Sequence, residues 1–161
     1  MSLIAKLLPL SNVLLDLEVG SKKRLFEQVG LLFENNHQIA RSHVFDSLFA
    51  REKLGSTGLG RGIAIPHGRV KGLKDALGAL VRTRQPVPFD APDGQPVELA
   101  FVLLVPDRAT DAHLQILSEL AQMFSDRSFR ERLRAAPTVA AMHELVINWQ
   151  PHGAGQHSPV V

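Results

Sequence analysis

The chain has 161 residues, 45% of them hydrophobic, which is enough to bury one full core and predicts a single domain. Its 18 Lys and Arg residues against 16 Asp and Glu give a net charge of only +2, without long runs of one sign, which argues against a nucleic-acid partner or a polybasic membrane anchor. The absence of cysteine excludes disulfides, thiolate metal sites and a catalytic thiol within these residues.

The first residues predict a docking segment followed by a strand. Residues 1–10 hold a short apolar stretch that Pro9 interrupts, and no apolar run approaches the roughly 20 residues that span a bilayer. We therefore expect a docking segment of a cytoplasmic protein, without membrane insertion. A strand or extended edge is expected over residues 13–19, before Gly20.

Two amphipathic helices are predicted next. Ser21 is a suitable N-cap for the first helix, whose apolar residues recur every three to four positions until the Asn35-Asn36 pair ends it. The second helix begins near Ser42 and runs into Arg51. Arg51 is thus expected at the C-terminal end of this helix, with its side chain pointing toward the residues that follow.

The residues that follow are rich in glycine, at positions 55, 58, 60 and 62. Four glycines in eight residues exclude a helix and predict a loop whose backbone N–H groups are available to an anion. Neither common nucleotide fingerprint is present, because Arg61-Gly62 stands where a Walker loop needs Lys and Ser or Thr, and the third glycine of a dinucleotide loop is missing.

A short buried strand, residues 63–65, follows the glycine-rich run. Pro66 has no N–H to donate to a sheet, so we expect the strand to stop there and to present His67 at its end. Without the surrounding motif, a lone histidine such as His67 is more often one that merely ends a strand and bonds to the backbone.

The second half predicts two strands and three helices. A strand over residues 77–83 precedes a proline-rich loop at 85–94, and the almost wholly apolar run 97–105 predicts a central strand covered on both faces. Thr110 or Asp111 caps a helix with His113 in its first turn. Two shorter helices follow, beginning near residues 126 and 138, and residues 150–161 are expected to be a disordered tail.

This order of elements predicts an α/β fold, a three-layer α/β/α sandwich around a small mixed sheet. His113 would follow the carboxyl end of the central strand, where open α/β sheets bind ligands. The first turn of a helix also favours anions. Arg51 has a guanidinium suited to phosphoryl oxygens, although a basic residue near a helix C-terminus is also stabilised there by the helix dipole.

From Arg51 to Gly68 the chain has the form Arg-Glu-x-x-Gly-Ser-Thr-Gly-(apolar)-Gly-x-Gly-Ile-Ala-Ile-Pro-His-Gly. This segment resembles the active-site segment of the enzyme IIA proteins of the bacterial phosphoenolpyruvate phosphotransferase system, in the mannitol/fructose/nitrogen-regulatory class, and the match to the nitrogen-regulatory branch is close. The resemblance extends roughly from residue 10 to residue 149. It implies a type-2 IIA domain over residues 1–149 with the same sandwich architecture.

The resemblance implies a cytoplasmic phosphoryl carrier that accepts a phosphoryl group from a histidine phosphocarrier protein. His67 would be the phosphoacceptor, and His113 and Arg51 would contact the phosphate. The expected phosphate-binding loop comprises Gly55, Ser56, Thr57, Gly58, Gly60 and Gly62. No cofactor or metal is expected, since no third ligand accompanies His67 and His113 at a spacing diagnostic of zinc.

Two alternatives stay open at this point. The chain could be the soluble IIA component of a fructose- or mannitol-type sugar transport system, or a binding module for a transporter or sensor kinase that phosphorylation switches. Sugar-transporting members of the class pass the group to a cysteine, and the lack of cysteine favours the regulatory branch.

The partner-binding face is expected around Leu59, Gly60 and Ile65.

Overall fold

The computed structural model describes residues 3–108 and 110–151. Within these residues the helices are α1 (Leu3–Leu7), α2 (Lys22–His37), α3 (Arg41–Glu52), α4 (Asp111–Ser125), α5 (Arg127–Ala135) and α6 (Val139–Ile147). The strands are β1 (Val13–Leu17), β2 (Gly58–Gly60), β3 (Ile63–Ala64), β4 (His67–Val70), β5 (Leu77–Val87) and β6 (Val97–Pro106). Most of the predicted tail, residues 152–161, lies outside the described residues.

The six strands form one mixed sheet with β6 inside it, as predicted for the most apolar strand. β5 pairs antiparallel with one edge of β6, and β1 adds to β5 in parallel. β3 and β4 both pair in parallel with the other edge of β6, and β2 pairs antiparallel with β3. The interior residues of β6 are buried, all except Glu98, because both faces of the strand are covered.

Helices cover both faces of the sheet and create two separate cores. α2 and α3 pack on one face, against side chains that include Ala79, Val102 and Leu104. α1, α4, α5 and α6 pack on the other face, against side chains that include Leu103 and Val105. The three-layer α/β/α sandwich is therefore confirmed. No helix in the described part of the chain is long and apolar enough to cross a membrane.

The predicted helix starts are confirmed more closely than the ends. Ser21 caps α2, accepting a hydrogen bond at 3.1 Å from the Arg24 N–H. The prediction that Asn35-Asn36 ends this helix is wrong, because both asparagines lie inside α2, which ends at His37, and the chain turns only at Gln38, in a left-handed conformation. The helix therefore ends where the backbone conformation changes.

β5 is longer than the sequence predicted. The strand continues to Val87, so the proline-rich loop does not begin at residue 85. Val87 pairs with Val97 of β6 after a register irregularity that follows Arg82. The side chain of Val87 is fully buried, and this burial keeps the segment in the sheet despite Pro86.

The region around His67 differs most from the prediction. The glycine-rich run is not a free loop, because β2 and β3 form a hairpin whose turn is Arg61-Gly62, both with positive φ. β3 ends at Ala64, before Pro66, but the chain does not leave the sheet there, because β4 begins at His67. Pro66 lacks the N–H that would bond to β6, which interrupts the ladder, but its carbonyl accepts from the Leu103 N–H at 2.9 Å and pairing resumes at His67.

Candidate functional site

A cavity of about 460 Å³ lies between the end of α3, the strand β4 and the start of α4. Arg51, His67 and His113 all line it, so the structure brings together the three residues that the sequence predicted for the site. The other lining residues come from the same elements, from the turn after α3 and from β6: Ser47, Ala50, Leu54, Gly68, Arg69, Leu103, Val105, Leu114 and Leu117.

His67 is held in one tautomer by its own backbone. Its Nδ1 lies 2.8 Å from the Ile65 carbonyl oxygen, which only accepts hydrogen bonds, so Nδ1 carries the proton and Nε2 keeps its lone pair. Burial lowers the pKa of His67, and the Arg51 charge adds to this lowering, while the Ile65 hydrogen bond and Glu52 oppose it. The half-buried ring is therefore neutral at pH 7 and nucleophilic at Nε2.

His113 is held in the opposite tautomer. Thr110 is the N-cap of α4, as predicted, and its backbone N–H donates to His113 Nδ1 at 3.0 Å. Because Nδ1 accepts this bond, the proton of the neutral ring is on Nε2. One ring at the cavity thus offers a lone pair and the other offers an N–H donor, the pair needed to bind a group and to hydrogen-bond its oxygens.

Arg51 lies in the last turn of α3, where the sequence placed it. Its Nη1 donates to the Gly55 carbonyl at 2.7 Å, so one arm of the guanidinium fixes the chain that leaves the helix. The remaining N–H groups make no other hydrogen bond with the described residues. Arg51 therefore serves the fold and leaves donors for an anion in the cavity.

Gly68 sets the distance between His67 and α3. A Cβ atom at this position would lie 2.6 Å from Ser47 Oγ and 2.8 Å from the Ser47 carbonyl carbon, closer than packed atoms approach. The absence of a side chain lets β4 pack directly on α3. This contact brings His67 and Arg51 to one cavity.

The glycine-rich run does not surround His67. None of the six residues predicted for a phosphate loop lines the cavity. The carboxylate of Glu52 accepts from Thr57, at 3.0 Å from the N–H and 2.7 Å from the hydroxyl, and also pairs with Lys22 Nζ at 2.9 Å. The Ser56 hydroxyl donates to the Phe89 carbonyl at 2.6 Å and accepts from the Gly58 N–H.

Polar groups in the turn of the β2–β3 hairpin are also hydrogen-bonded to other groups of the protein. The Arg61 N–H donates to Asp93 at 2.8 Å, which holds the pKa of that carboxyl below its usual range. The Arg61 carbonyl accepts from Arg134, which also pairs with Glu98. Gly62 completes the turn with a φ of +81°. The N–H groups of Gly55, Thr57, Gly58 and Arg61 are thus already bonded within the protein.

The partner face predicted at Leu59, Gly60 and Ile65 is largely wrong. Gly60 and Ile65 are buried in the hairpin and the sheet, and only Leu59 is exposed, at 48%. The strongly exposed apolar side chains at the cavity are Leu54, at 84%, and Leu114, at 63%. They lie on the segments just after α3 and in the first turn of α4.

Sequence reasoning missed Arg69 and the bracing role of Glu52. The assumption that Pro66 ends the strand hid Arg69, because only a continuing strand puts residues 67 and 69 on one face. Glu52 was visible next to Arg51, but nothing in the local pattern shows that its carboxylate turns inward. In the described part of the chain, no three His, Asp or Glu side chains are grouped to hold a metal ion.

Comparison with known proteins identifies relatives that are similar to this chain in sequence. The chain is 47% identical over 132 residues to a nitrogen regulatory protein of Pseudomonas aeruginosa, which covers 81% of this chain and 86% of that protein. It is 41% identical over 127 residues to the nitrogen regulatory protein of Escherichia coli K12, which covers 78% of each.

A solved structure agrees with these relatives. The crystal structure of the nitrogen regulatory protein IIA-Ntr from Neisseria meningitidis matches with a TM-score of 0.85 and 57% identity, over 90% of this chain and 99% of that one. The family model for the phosphoenolpyruvate-dependent sugar phosphotransferase system, EIIA 2, matches residues 6–149. The chain therefore belongs to the EIIA type-2 family of the phosphoenolpyruvate-dependent phosphotransferase system and is similar to its nitrogen regulatory members.

Proposed function

We propose that this protein is a phosphoryl carrier that accepts a phosphoryl group on Nε2 of His67. The observation that carries the proposal is the 2.8 Å hydrogen bond from Nδ1 to the Ile65 carbonyl, which leaves the Nε2 lone pair on a ring that lines the cavity. Phosphoryl transfer needs an accessible nucleophile and neutralisation of the moving charge. His67 supplies the nucleophile, and Arg51 and the Nε2–H of His113 supply donors.

The transfer is a substitution at phosphorus. The Nε2 lone pair forms a new P–N bond while the bond between phosphorus and the donor nitrogen breaks, and its electron pair stays on the donor. His67 retains its Nδ1 proton, so the phosphorylated ring becomes an imidazolium whose N–H remains bonded to the Ile65 carbonyl. This carbonyl therefore stabilises the product as well as the reactive tautomer.

The proposed donor is a histidine phosphocarrier protein. A protein donor has to place its own phosphorylated imidazole against His67, so a surface for docking is needed around the cavity. Leu54 and Leu114 provide such a surface, because they are exposed and border the cavity, Leu54 from the turn after α3 and Leu114 from the first turn of α4. The proposed role implies a cytoplasmic location, as the sequence predicts.

We also propose a regulatory role in place of sugar transport. The relatives at 47% and 41% identity are named nitrogen regulatory proteins, and these 161 residues contain no cysteine to receive the phosphoryl group. Phosphorylation adds roughly two negative charges to a cavity with an apolar rim, so a regulated transporter or sensor kinase that docks on this rim would favour the unphosphorylated form. A pull-down with both forms tests this, and equal recovery of the target would contradict it.

Intact mass spectrometry tests the carrier function. The protein is incubated with phosphoenolpyruvate, the first enzyme of the system and the phosphocarrier, and one acid-labile phosphate is expected. His67→Ala should accept none, whereas His43→Ala, at an exposed histidine of α3 outside the cavity, should behave as wild type. Phosphorylation of His67→Ala, or an adduct that survives acid, would contradict the assignment.

A further inference from the structure

Arg69 shares a face of β4 with His67. Side chains alternate along a strand, so residues 67 and 69 point to one side of the sheet and Gly68 and Val70 to the other. The opposite side is fixed by packing, because Gly68 contacts Ser47 of α3 and Val70 lies in the core beneath α2 and α3. Arg69 therefore projects, like His67, toward the face that α4 covers, and it lines the same cavity.

The guanidinium of Arg69 is unengaged within the described part of the chain. The residue is exposed, and none of the hydrogen bonds or ion pairs found there involves it. Arg51 differs, since one of its arms is bound to the Gly55 carbonyl at 2.7 Å. Two residues along a strand are only about 7 Å apart, so the long side chain of Arg69 can reach a group on His67.

No carboxylate among the described residues that line the cavity neutralises this second cation. The described residues that line the cavity include two arginines and no aspartate or glutamate. The nearest carboxylate in sequence, Glu52, is turned inward toward Thr57 and Lys22. Before transfer, when His67 is still neutral, Arg51 is the only other Lys or Arg among the described residues that line the cavity, and its single charge does not balance the roughly two negative charges of an incoming phosphoryl group.

We propose that Arg69 is a direct contact of the phosphoryl group, a second guanidinium that binds its oxygens during transfer to His67. The inference rests on the proposed carrier function and adds a residue outside the Arg51–Gly68 segment. Arg69 stabilises the charge of the transferring group from the strand side, while Arg51 and His113 act from the two helices. Its guanidinium is expected to turn from solvent onto the group when the group arrives.

Two phosphoryl donors separate this role from a role in docking a protein. Phosphoramidate is a small donor whose P–N bond breaks with release of ammonia, which leaves with the electron pair of that bond, so no protein surface has to fit. Initial rates of His67 phosphorylation would be measured by intact mass with phosphoramidate and with the phosphocarrier. The variants are Arg69→Ala, Arg69→Lys and the control Lys71→Ala, an exposed cation that lines a different cavity.

Arg69→Ala should slow transfer from both donors by a similar factor, about tenfold to a hundredfold, as for other single charge-stabilising donors. Arg69→Lys should recover part of the rate, since an ammonium keeps the charge without the planar fork. Lys71→Ala should match wild type. Loss with the phosphocarrier alone would overturn the inference in favour of docking, and unchanged rates with both donors would overturn it outright.

Failure of the proposed function gives a different result. In that case wild type acquires no phosphate on His67 from either donor, and His67→Ala is indistinguishable from it. Because Arg69 is exposed and makes no hydrogen bond or ion pair with the described residues, its substitution is not expected to alter folding. A thermal melt of each variant confirms this, and recovery of rate in the lysine variant excludes a purely structural effect.

Discussion

The hairpin region, residues 52–62, and the cavity around His67 use similar polar groups in opposite ways. In the hairpin region both hydroxyls and several N–H groups are paired inside the protein, with partners that include the Glu52 carboxylate, the Phe89 carbonyl and the Asp93 carboxylate. At the cavity, donors of Arg51 and Arg69 and one nitrogen of each histidine lack partners among the described residues. Paired groups define a shape, whereas unpaired groups bind something else.

This difference separates two kinds of motif residue. The densest sequence signal, the glycine-rich run, builds a rigid hairpin beside the strand that carries His67. The chemistry lies on residues that are far apart in the sequence and have few neighbours of diagnostic type. Substitutions in the hairpin region should therefore change the free energy of unfolding, and substitutions at the cavity should change the rate of phosphoryl transfer.

The largest effect on stability is expected from Glu52→Ala. The carboxylate is buried and bonds to Lys22 and to both polar groups of Thr57, so its removal leaves two donors of Thr57 unpaired and leaves the partly buried Lys22 ammonium with only the more distant Asp90 carboxylate, at 4.0 Å. A loss of about 3–5 kcal/mol is expected on denaturant unfolding. Glu27→Ala, which breaks an exposed ion pair with Arg24, should cost less than about 1 kcal/mol. Similar losses in the two variants would contradict the bracing role.

His113→Ala should act mainly on rate. The ring offers an Nε2–H donor at the cavity, and loss of one such donor commonly slows a reaction about a hundredfold, while the nucleophile remains. The Thr110 N–H also loses its acceptor, so the free energy of unfolding should fall by about 1 kcal/mol. Rates of phosphorylation by the phosphocarrier and parallel unfolding curves measure the two effects. A transfer rate equal to wild type would assign His113 to capping alone.

Ser56→Ala should act mainly on stability and hardly on the transfer rate, and its effect should be smaller than that of His113→Ala. The Ser56 hydroxyl donates to the Phe89 carbonyl and accepts from the Gly58 N–H. Loss of these two bonds should lower the free energy of unfolding by about 1 kcal/mol. The transfer rate should stay within about twofold of wild type, because the hydroxyl is bonded away from the cavity. A rate loss comparable to that of His113→Ala would instead support the sequence prediction that this residue contacts phosphate.

The smallest effect is one of pH. Burial lowers the pKa of His67 below its ordinary value of about 6.5, so the neutral ring persists, and transfer should continue, somewhat below pH 6.5. The unfolded chain binds this proton more tightly, so stability is greatest above the unfolded pKa and falls as the pH drops toward the folded one. His67→Ala should reduce that drop. A rate profile with its midpoint at or above 6.5 would contradict the pKa direction.

The sequence alone determined the sandwich and three of the residues at the cavity. Apolar periodicity located most of the helices and the central strand. A helix that buries one stripe has apolar residues every three to four positions, and a strand buried on both faces is apolar at nearly every position. His67, His113 and Arg51 were found because each is next to an element boundary, and His67 and Arg51 also lie in a segment that matches a known family. These signals are local, so they can be read without a structure.

Only the tertiary structure decided what the glycine-rich run does and which other residues reach the cavity. The partners of the hairpin region include residues more than thirty positions away, such as Phe89 and Asp93, and no local pattern shows a hydrogen bond of that range. Arg69 joined the site because pairing with β6 continues beyond Pro66. The physical reason is the same in both cases: whether a polar group is free or bonded depends on what packs against it.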